Sequence, residues 1–300
     1  MRKGSSFIGL VKRIADWAAN VIIALFCLLV LWLLLQVTTY ASFKVPSGSM
    51  EPTLVAGDYV LVNKWIMGGR VFNVMDALAG KQVGIRRLPG WRGAECGDVL
   101  VFNFPYPDSR RDSLYMDVML YYVKRCIALP GDTLEIRDAH YYIKGIPEPV
   151  GNVRGQDLLH EMLRYESPEA LKILGVKTDG IWDGNLDSMP PVVVPCKGIE
   201  LQMNSRNARL YRRLIEWKTG EKLLMDSLGR AYLSGRALPA YKFKKNYYFM
   251  AGDNAAHSND SRNWGLVPEE YVVGVATHIW KSETPSTGKL RWNRVMKRIE

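Results

Sequence analysis

The chain has 300 residues, with 40 Lys plus Arg against 30 Asp plus Glu and a formal net charge of +10. A basic balance of this size suits partners that carry negative charge, nucleic acid or anionic lipid. The four histidines are scattered and there is no Cys-x-x-Cys or His-x-x-x-His, so no zinc site is expected, nor any other metal or cofactor.

No charged residue occurs between Trp17 and Phe43, and Val21 to Leu35 is almost wholly apolar. A spanning helix needs ~20 apolar residues at ~1.5 Å rise each, and Ala18 to Thr38 supplies that length. Arg2, Lys3, Lys12 and Arg13 precede the run, so the positive-inside rule keeps that end cytoplasmic. The expected layout is a basic cytoplasmic segment 1–16, a single-pass anchor 17–39 and an exported domain 40–300. The alternative is a signal peptide cut after Ala41, but the run is longer than the usual signal core of about 7–15 residues.

Beyond the anchor the pattern is one of short strands and turns. Asp58–Asn63, Asp98–Phe102 and Tyr121–Ile127 read as strands; Pro105 and Pro107 close the second. Thr133–Ile136 and Tyr141–Ile143 read as a hairpin. Tyr247–Met250 runs into an Ala-Gly-Asp-Asn turn, and Tyr271–Ile279 is a last long strand. Strands this regular predict a mainly β domain. Residues 64–95, Gly- and Arg-rich without periodicity, read as a surface excursion. Residues 150–240 differ: helices are expected over 157–173 and 207–217, with Pro190, Pro191 and Pro195 between them, and the segment reads as an insertion. Cys27 lies in the anchor, Cys126 reads as a buried thiol, and Cys96 and Cys196 are candidates for pairing. The tail after Trp280 carries Lys281, Lys289, Arg291, Arg294, Lys297 and Arg298 against Glu283 and Glu300. It reads either as a solvated basic end or as a contact for anionic headgroups, with nucleic acid disfavoured on an exported domain.

The chemistry concentrates in Ser47-Gly-Ser-Met-Glu-Pro-Thr53, close behind the anchor. A serine hydroxyl needs a base to become a nucleophile. No histidine has a convincing context, which leaves Lys124, within Tyr122-Val-Lys-Arg-Cys-Ile127. On periodicity alone Lys124 either faces solvent from an edge strand or lies buried. Burial would disfavour its charged form and make a neutral amine available to Ser49.

Pro46-Ser-Gly-Ser-Met-Glu-Pro-Thr-Leu54, Tyr122-Val-Lys-Arg-Cys-Ile-Ala-Leu-Pro-Gly-Asp132 and Gly252-Asp-Asn-x-x-x-Ser-x-Asp-Ser-Arg262 occur in that order, followed by Asn263-Trp-Gly-Leu-Val-Pro268. Together, behind one span, they closely resemble the bacterial signal peptidase I family, membrane-anchored serine proteases with a Ser/Lys dyad. The tail Leu290–Arg294 and the long middle resemble the Bacteroidota branch. The resemblance implies a signal-peptidase-like β-sheet catalytic core with an inserted α+β region at about 150–240, behind one transmembrane helix. It implies a periplasmic or outer-side catalytic domain on the bacterial inner membrane, acting on signal peptides of exported preproteins. By the same resemblance Ser49 matches the nucleophile and Lys124 the general base. Ser47 matches the hydroxyl that forms the oxyanion hole with the Ser49 amide, and Ser258 the serine that orients the lysine. Arg125 with Asp253, and Asp260 with Arg262, match charged residues that brace the site. Phe43, Val45, Met50, Leu54, Tyr122 and Val123 match positions lining shallow pockets for small side chains. The chain departs from the family at Ala255-Ala256-His257, where arginine usually comes first and asparagine last, and this puts the bracing of that loop in question. Two other readings stay open: a dedicated Ser/Lys processing peptidase of the conjugation-pilin kind, and an anchored binding module with a decayed site.

Overall fold

The longest apolar run of the sequence becomes its longest helix. The computed structural model describes residues 3–79, 81, 83–106, 114–176, 182 and 186–300, with the backbone alone for 3–12 and 33–38. Helix α1 (Lys3–Thr38) contains a window, Arg13–Trp32, of mean hydropathy 2.3, none of it buried against the described residues. An apolar helix bare on every side calls for a lipid environment, since only burial of such a surface is favourable. The helix begins before the expected span and takes in the basic flank.

Strand β1 (Tyr40–Lys44) follows α1 with only Thr39 between, and sequence reading missed it. It pairs antiparallel with β2 (Asp58–Asn63), from Tyr40 opposite Asn63 to Lys44 opposite Tyr59. Short strands β3 (Arg70–Val71) and β4 (Arg86–Arg87) flank helix α2 (Val74–Leu78). β5 (Val99–Asn103) and β6 (Tyr121–Ala128) form the next antiparallel pair, and β7 (Thr133–Arg137) with β8 (His140–Ile143) the expected hairpin. Pro107 lies outside the described residues.

The 150–240 segment holds α3 (Val153–Tyr165), α4 (Pro168–Ile173), β9 (Met189–Val193), β10 (Glu200–Gln202), α5 (Ser205–Thr219), β11 (Leu223–Met225), β12 (Ala231–Leu233) and β13 (Arg236–Ala237), with β14 (Ala240–Lys242) just after it. The single helix expected over 157–173 is two. Ser167 caps α4 through the Ala170 amide and Pro168 occupies its first turn, so the chain must leave helical geometry just before them.

The motifs that carry the resemblance return with β15 (Tyr247–Ala251), the four-residue helix α6 (Ser261–Trp264), β16 (Val267–Pro268) and β17 (Val272–Ser282), and β18 (Lys297–Arg298) follows. The main sheet runs β1-β2-β17-β5-β6-β15-β16, with β18 added to β17, and all its pairings are antiparallel. One large apolar cluster joins sheet residues such as Leu100, Ile127 and Phe249 to Tyr211, Leu214 and Ile215 of α5. A smaller one lies under the β1–β2 connection. A third lies between α3, α4 and residues 255–256.

Three expectations need correction. Residues 64–95 are not a loose excursion. Arg70 donates to Asn103 Oδ1 and to the Glu270 and Tyr271 carbonyls, and Arg87 to the carbonyls of Gly68, Glu269 and Val272. These arginines satisfy backbone oxygens at the start of β17, a role that composition cannot distinguish from surface charge. Cys96 and Cys196 do not pair; every cysteine is free. Cys126 is the expected buried thiol, and burial pushes its pKa well up.

The third concerns the basic tail, which is not merely solvated. Arg294 donates to both Asp58 oxygens and to the Thr53 carbonyl, and Arg291 to Ser282 Oγ and the Ala56 carbonyl. Burial alone would raise the Asp58 carboxyl, but hydrogen bonds from Arg294, Ser282 and the Val55 amide hold it below its usual range. The tail thereby closes over the connection between β1 and β2.

Candidate active site

Thirteen residues, 45–57, join β1 to β2. They are held because their apolar members point inward. Val45, Met50 and Leu54 are buried with Val60, Val62, Val99, Val101, Val273, Ala276 and Ile279, while Phe43 and Val123 pack against the same cluster. A fully buried side chain of this size stabilises by roughly 1.5–3 kcal/mol. The Glu51 amide donates to the Gly48 carbonyl and the Leu54 amide to the Met50 carbonyl. Ser49 thus sits on a turn anchored on both sides.

Lys124 lies in β6 opposite Leu100 of β5. Only 4 % of it is exposed, and its Nζ stands 2.6 Å from Ser49 Oγ and 3.1 Å from the Val123 carbonyl oxygen. The buried alternative therefore holds. Desolvation lowers its pKa from 10.5 to about 8, outweighing the pull of Asp260 and Asp253 toward the charged form and assisted by Arg262. A neutral amine at 2.6 Å can accept the Ser49 proton, which meets the geometric condition for a base-activated nucleophile.

The turn after β15 closes the other side. The Asn254 amide donates to the Ser49 carbonyl, and Asn254 Nδ2 to the Gly48 carbonyl. Asp253 is held by a two-pronged bond from Arg125, Nε at 2.7 Å and Nη2 at 2.6 Å. Arg125 also reaches the Gly97 carbonyl and Thr53 Oγ1, tying β6 to the Ser49 turn. Asp260 caps α6, accepts from the Gly252 amide at 3.0 Å and is gripped by Arg262 Nε and Nη2, both at 2.8 Å. Both partners are fully buried. Burial opposes ionisation of each, yet their mutual attraction keeps the Asp260 pKa below and that of Arg262 above the ordinary value. Removing one charge from a buried pair strands the other and costs about 3–5 kcal/mol. Arg262→Met is therefore expected to lower the thermal midpoint of the detergent-solubilised protein sharply, while Asp260→Asn combined with Arg262→Met recovers part of the loss.

Ser258 Oγ is buried without a well-formed hydrogen bond, with Asp260 as its charged neighbour. It also adjoins Ser49: a Cβ on Gly252 would stand 2.2 Å from Ser258 Oγ and 2.4 Å from the Ser49 carbonyl oxygen. Only glycine fits between them. Gly252→Ala is expected to reduce peptide-bond cleavage at least ~100-fold, because an ångström of misplacement at a reacting centre costs that much. A kcat within a few-fold of the unmodified protein would contradict the close packing. Gly252 and Asn254 stand in the sequence motif, yet nothing in their residue types assigned them a role. Ser47 is exposed in the same turn as Ser49. Of the six pocket candidates, Phe43, Val45, Met50, Leu54 and Val123 share one cluster. Tyr122 instead joins the main core, stacked on Phe104 with centroids 4.3 Å apart, and its ring centroid lies 5.6 Å from Lys124 Nζ.

A family model described as signal peptidase, peptidase S26, matches residues 16–281. The chain belongs to this signal peptidase family. It is 28 % identical over 254 residues to signal peptidase I of Buchnera aphidicola subsp. Schizaphis graminum, covering 81 % of this chain and 68 % of that one. It is 29 % identical over 250 residues to signal peptidase I of Pseudomonas fluorescens, covering 80 % and 64 %. The chain thus spans about two thirds of the length of these relatives. Among solved structures, a signal peptidase I from Enterococcus faecalis V583 is similar at 22 % identity and a TM-score of 0.27, covering 62 % of this chain and 97 % of that one.

The departure at Ala255-Ala256-His257 has a structural counterpart. Ala255 and Ala256 are buried against Leu159 of α3 and Leu171 of α4. Arg262 Nη2 donates to the Ala255 carbonyl, and His257 Nε2 lies 3.1 Å from the Leu174 carbonyl oxygen. Small side chains let the helices close on the loop, so helix packing braces it where polar groups would otherwise stand. Among the described residues no group of three or more His, Cys, Asp or Glu could hold a metal ion.

Proposed function

We propose that this chain is a membrane-anchored serine endopeptidase that removes signal peptides from exported preproteins, with Ser49 as nucleophile and Lys124 as general base. The observation that carries the assignment is the 2.6 Å contact between Ser49 Oγ and an amine that burial brings to a pKa of about 8. Neutral Lys124 takes the hydroxyl proton as Oγ attacks the scissile carbonyl. The tetrahedral oxyanion is received by the Ser49 amide and the Ser47 hydroxyl, each such donor contributing about 10²–10³ in rate. The lysine ammonium then protonates the leaving amine, which departs as the new N-terminus of the mature chain. The signal peptide stays esterified to Ser49 until a water, deprotonated by the again neutral Lys124, releases it as a carboxylic acid. Ser258, buried and short of a partner, orients the amine, while Arg125–Asp253 and Arg262–Asp260 fix the two segments that meet at Ser49.

Open backbone edges support binding of an extended substrate. β15 pairs with β6 at Arg125, Cys126 and Ala128, and its register does not extend alongside Tyr121–Lys124. β1 ends the sheet on the other side. A peptide that adds as a strand is read through its backbone, and its alternate side chains would meet the surface beside Phe43 and Val123, the partly buried residues packed on the cluster that holds Met50 and Leu54. In this proposal α1 crosses the inner membrane once, with residues 1–16 in the cytoplasm, and the peptidase domain lies on the outer face in contact with lipid. A panel of unrelated preproteins in detergent micelles tests the breadth of the activity. Cleavage of several at small-x-small sites is expected; cleavage of one alone would mark a dedicated processing enzyme.

A further inference from the structure

A cavity of about 400 Å³ opens beside the Ser49 turn, lined by none of the residues of the apolar cluster that holds Met50 and Leu54. Its size lies near the low end for ligand sites, about 300–1,000 Å³, and suits a short stretch of peptide. One wall is Glu51 and Pro52, two and three residues after Ser49; the other lining includes Leu158 and Met162 of α3 together with Ala256 and His257.

The α3 wall is built onto the catalytic segment itself. Asn152 Nδ2, just before the helix, donates to the Asp253 carbonyl at 3.0 Å. A Cβ on Gly155 would stand 2.1 Å from that same oxygen, so the helix comes this close only because residue 155 is glycine. The next residue, Asn254, holds the Ser49 and Gly48 carbonyls. Helix, cavity and nucleophile are therefore one rigid arrangement.

We propose that this groove receives the first residues of the mature chain, on the leaving side of the scissile bond. The inference rests on the Ser49–Lys124 assignment above. A substrate extended across Ser49 has two halves. The acyl half belongs to the apolar cluster on one side of the turn, and the leaving half must run off the other side, where Glu51 and Pro52 face the cavity. Two or three extended residues reach roughly 7–10 Å beyond the cut, the scale of the groove. The surface offered is largely apolar, and Leu158 is 54 % exposed. The Glu51 carboxylate folds over Gly48, since a Cβ there would meet Glu51 Oε1 at 2.7 Å. A carboxylate beside the Ser49 turn suits the ammonium that the released amine becomes. Arg154, on the α3 side, offers a donor to carbonyl oxygens of an extended chain. The ligand class is an extended N-terminal peptide with an apolar, non-acidic side chain among its first residues.

The test uses the full chain in detergent micelles and three substrates with an identical signal peptide. One carries leucine at the second mature position, one aspartate there, and one a small arylamide with no mature residues. The unmodified protein is expected to favour leucine over aspartate. Leu158→Asp should lower kcat/KM for the leucine substrate roughly tenfold relative to the arylamide, the scale of one apolar contact in a specificity pocket. Leu158→Lys should shift the preference toward aspartate. Because the readouts are ratios within one preparation, a partly unfolded variant does not mimic them. Unchanged ratios in both variants would overturn the proposal. Ser49→Ala serves as the separate control: persistent cleavage there would overturn the nucleophile assignment, whereas loss of cleavage with unchanged Leu158 ratios would overturn the groove alone.

Discussion

Replacing Ser49 with alanine is expected to abolish preprotein cleavage, with kcat falling by at least about 10⁴-fold, as when the nucleophile of a serine hydrolase is removed. The turn should survive the change. Its anchors are the buried Val45, Met50 and Leu54 and backbone bonds such as Asn254 amide to Ser49 carbonyl, none of which uses the hydroxyl. The fold and the substrate grooves should therefore persist, so the variant still binds preprotein. Two measurements check this: cleavage in detergent micelles, and mass spectrometry of the protein quenched during turnover. The unmodified protein should show the acyl adduct on the peptide containing Ser49, and the variant none. Normal turnover by Ser49→Ala would sink the assignment whatever the resemblance suggests.

How much of this was legible in the sequence depends on the range of the interaction. Strands β2, β5, β6 and β15 and the β7–β8 hairpin announced themselves because alternation and turn residues are local signals. The proposed Ser49–Lys124 dyad is legible only through motif resemblance. Periodicity left Lys124 either exposed or buried, and the tertiary closure of the Ser49 turn over β6 decides it. Arg70, Arg87, Arg291 and Arg294 were misread for one reason. A guanidinium that ends on carbonyls or on Asp58 has the same composition as one in water, and most of its partners lie 33 to 241 residues away. The Ala255-Ala256 departure was read as a loss because its compensation, the packing of α3 and α4, comes from a segment some 85 to 100 residues earlier in which the family motifs are silent. β1 was missed because it continues almost directly from a helix, with no turn residue to punctuate it.

Lys124→Met should separate activity from stability, because the property that makes Lys124 a base is one that the fold resists. Activity requires the neutral amine. With a pKa of about 8, kcat/KM should rise about tenfold per pH unit up to that value and level off above it. At pH 6 about one molecule in a hundred is competent, and at pH 7 about one in ten. The stability effect has a definite sign. The folded-state pKa is depressed from 10.5 to about 8, so between these values the unfolded chain binds the proton and the folded protein does not. Stability therefore rises with pH across that window; below pH 8 the whole desolvation cost is present. At ~1.36 kcal/mol per unit, that cost is on the order of 3 kcal/mol. Methionine fills similar volume and carries no charge, so Lys124→Met is expected to be inactive yet more stable at pH 7, with a thermal midpoint higher by about 5–10 °C. The difference between the two proteins should shrink as pH rises from 8 toward 10.5. A pH-independent rate between 6 and 8, or a variant that melts lower than the unmodified protein at pH 7, would mean that burial does not lower the Lys124 pKa, and the source of the serine's reactivity would have to be sought elsewhere.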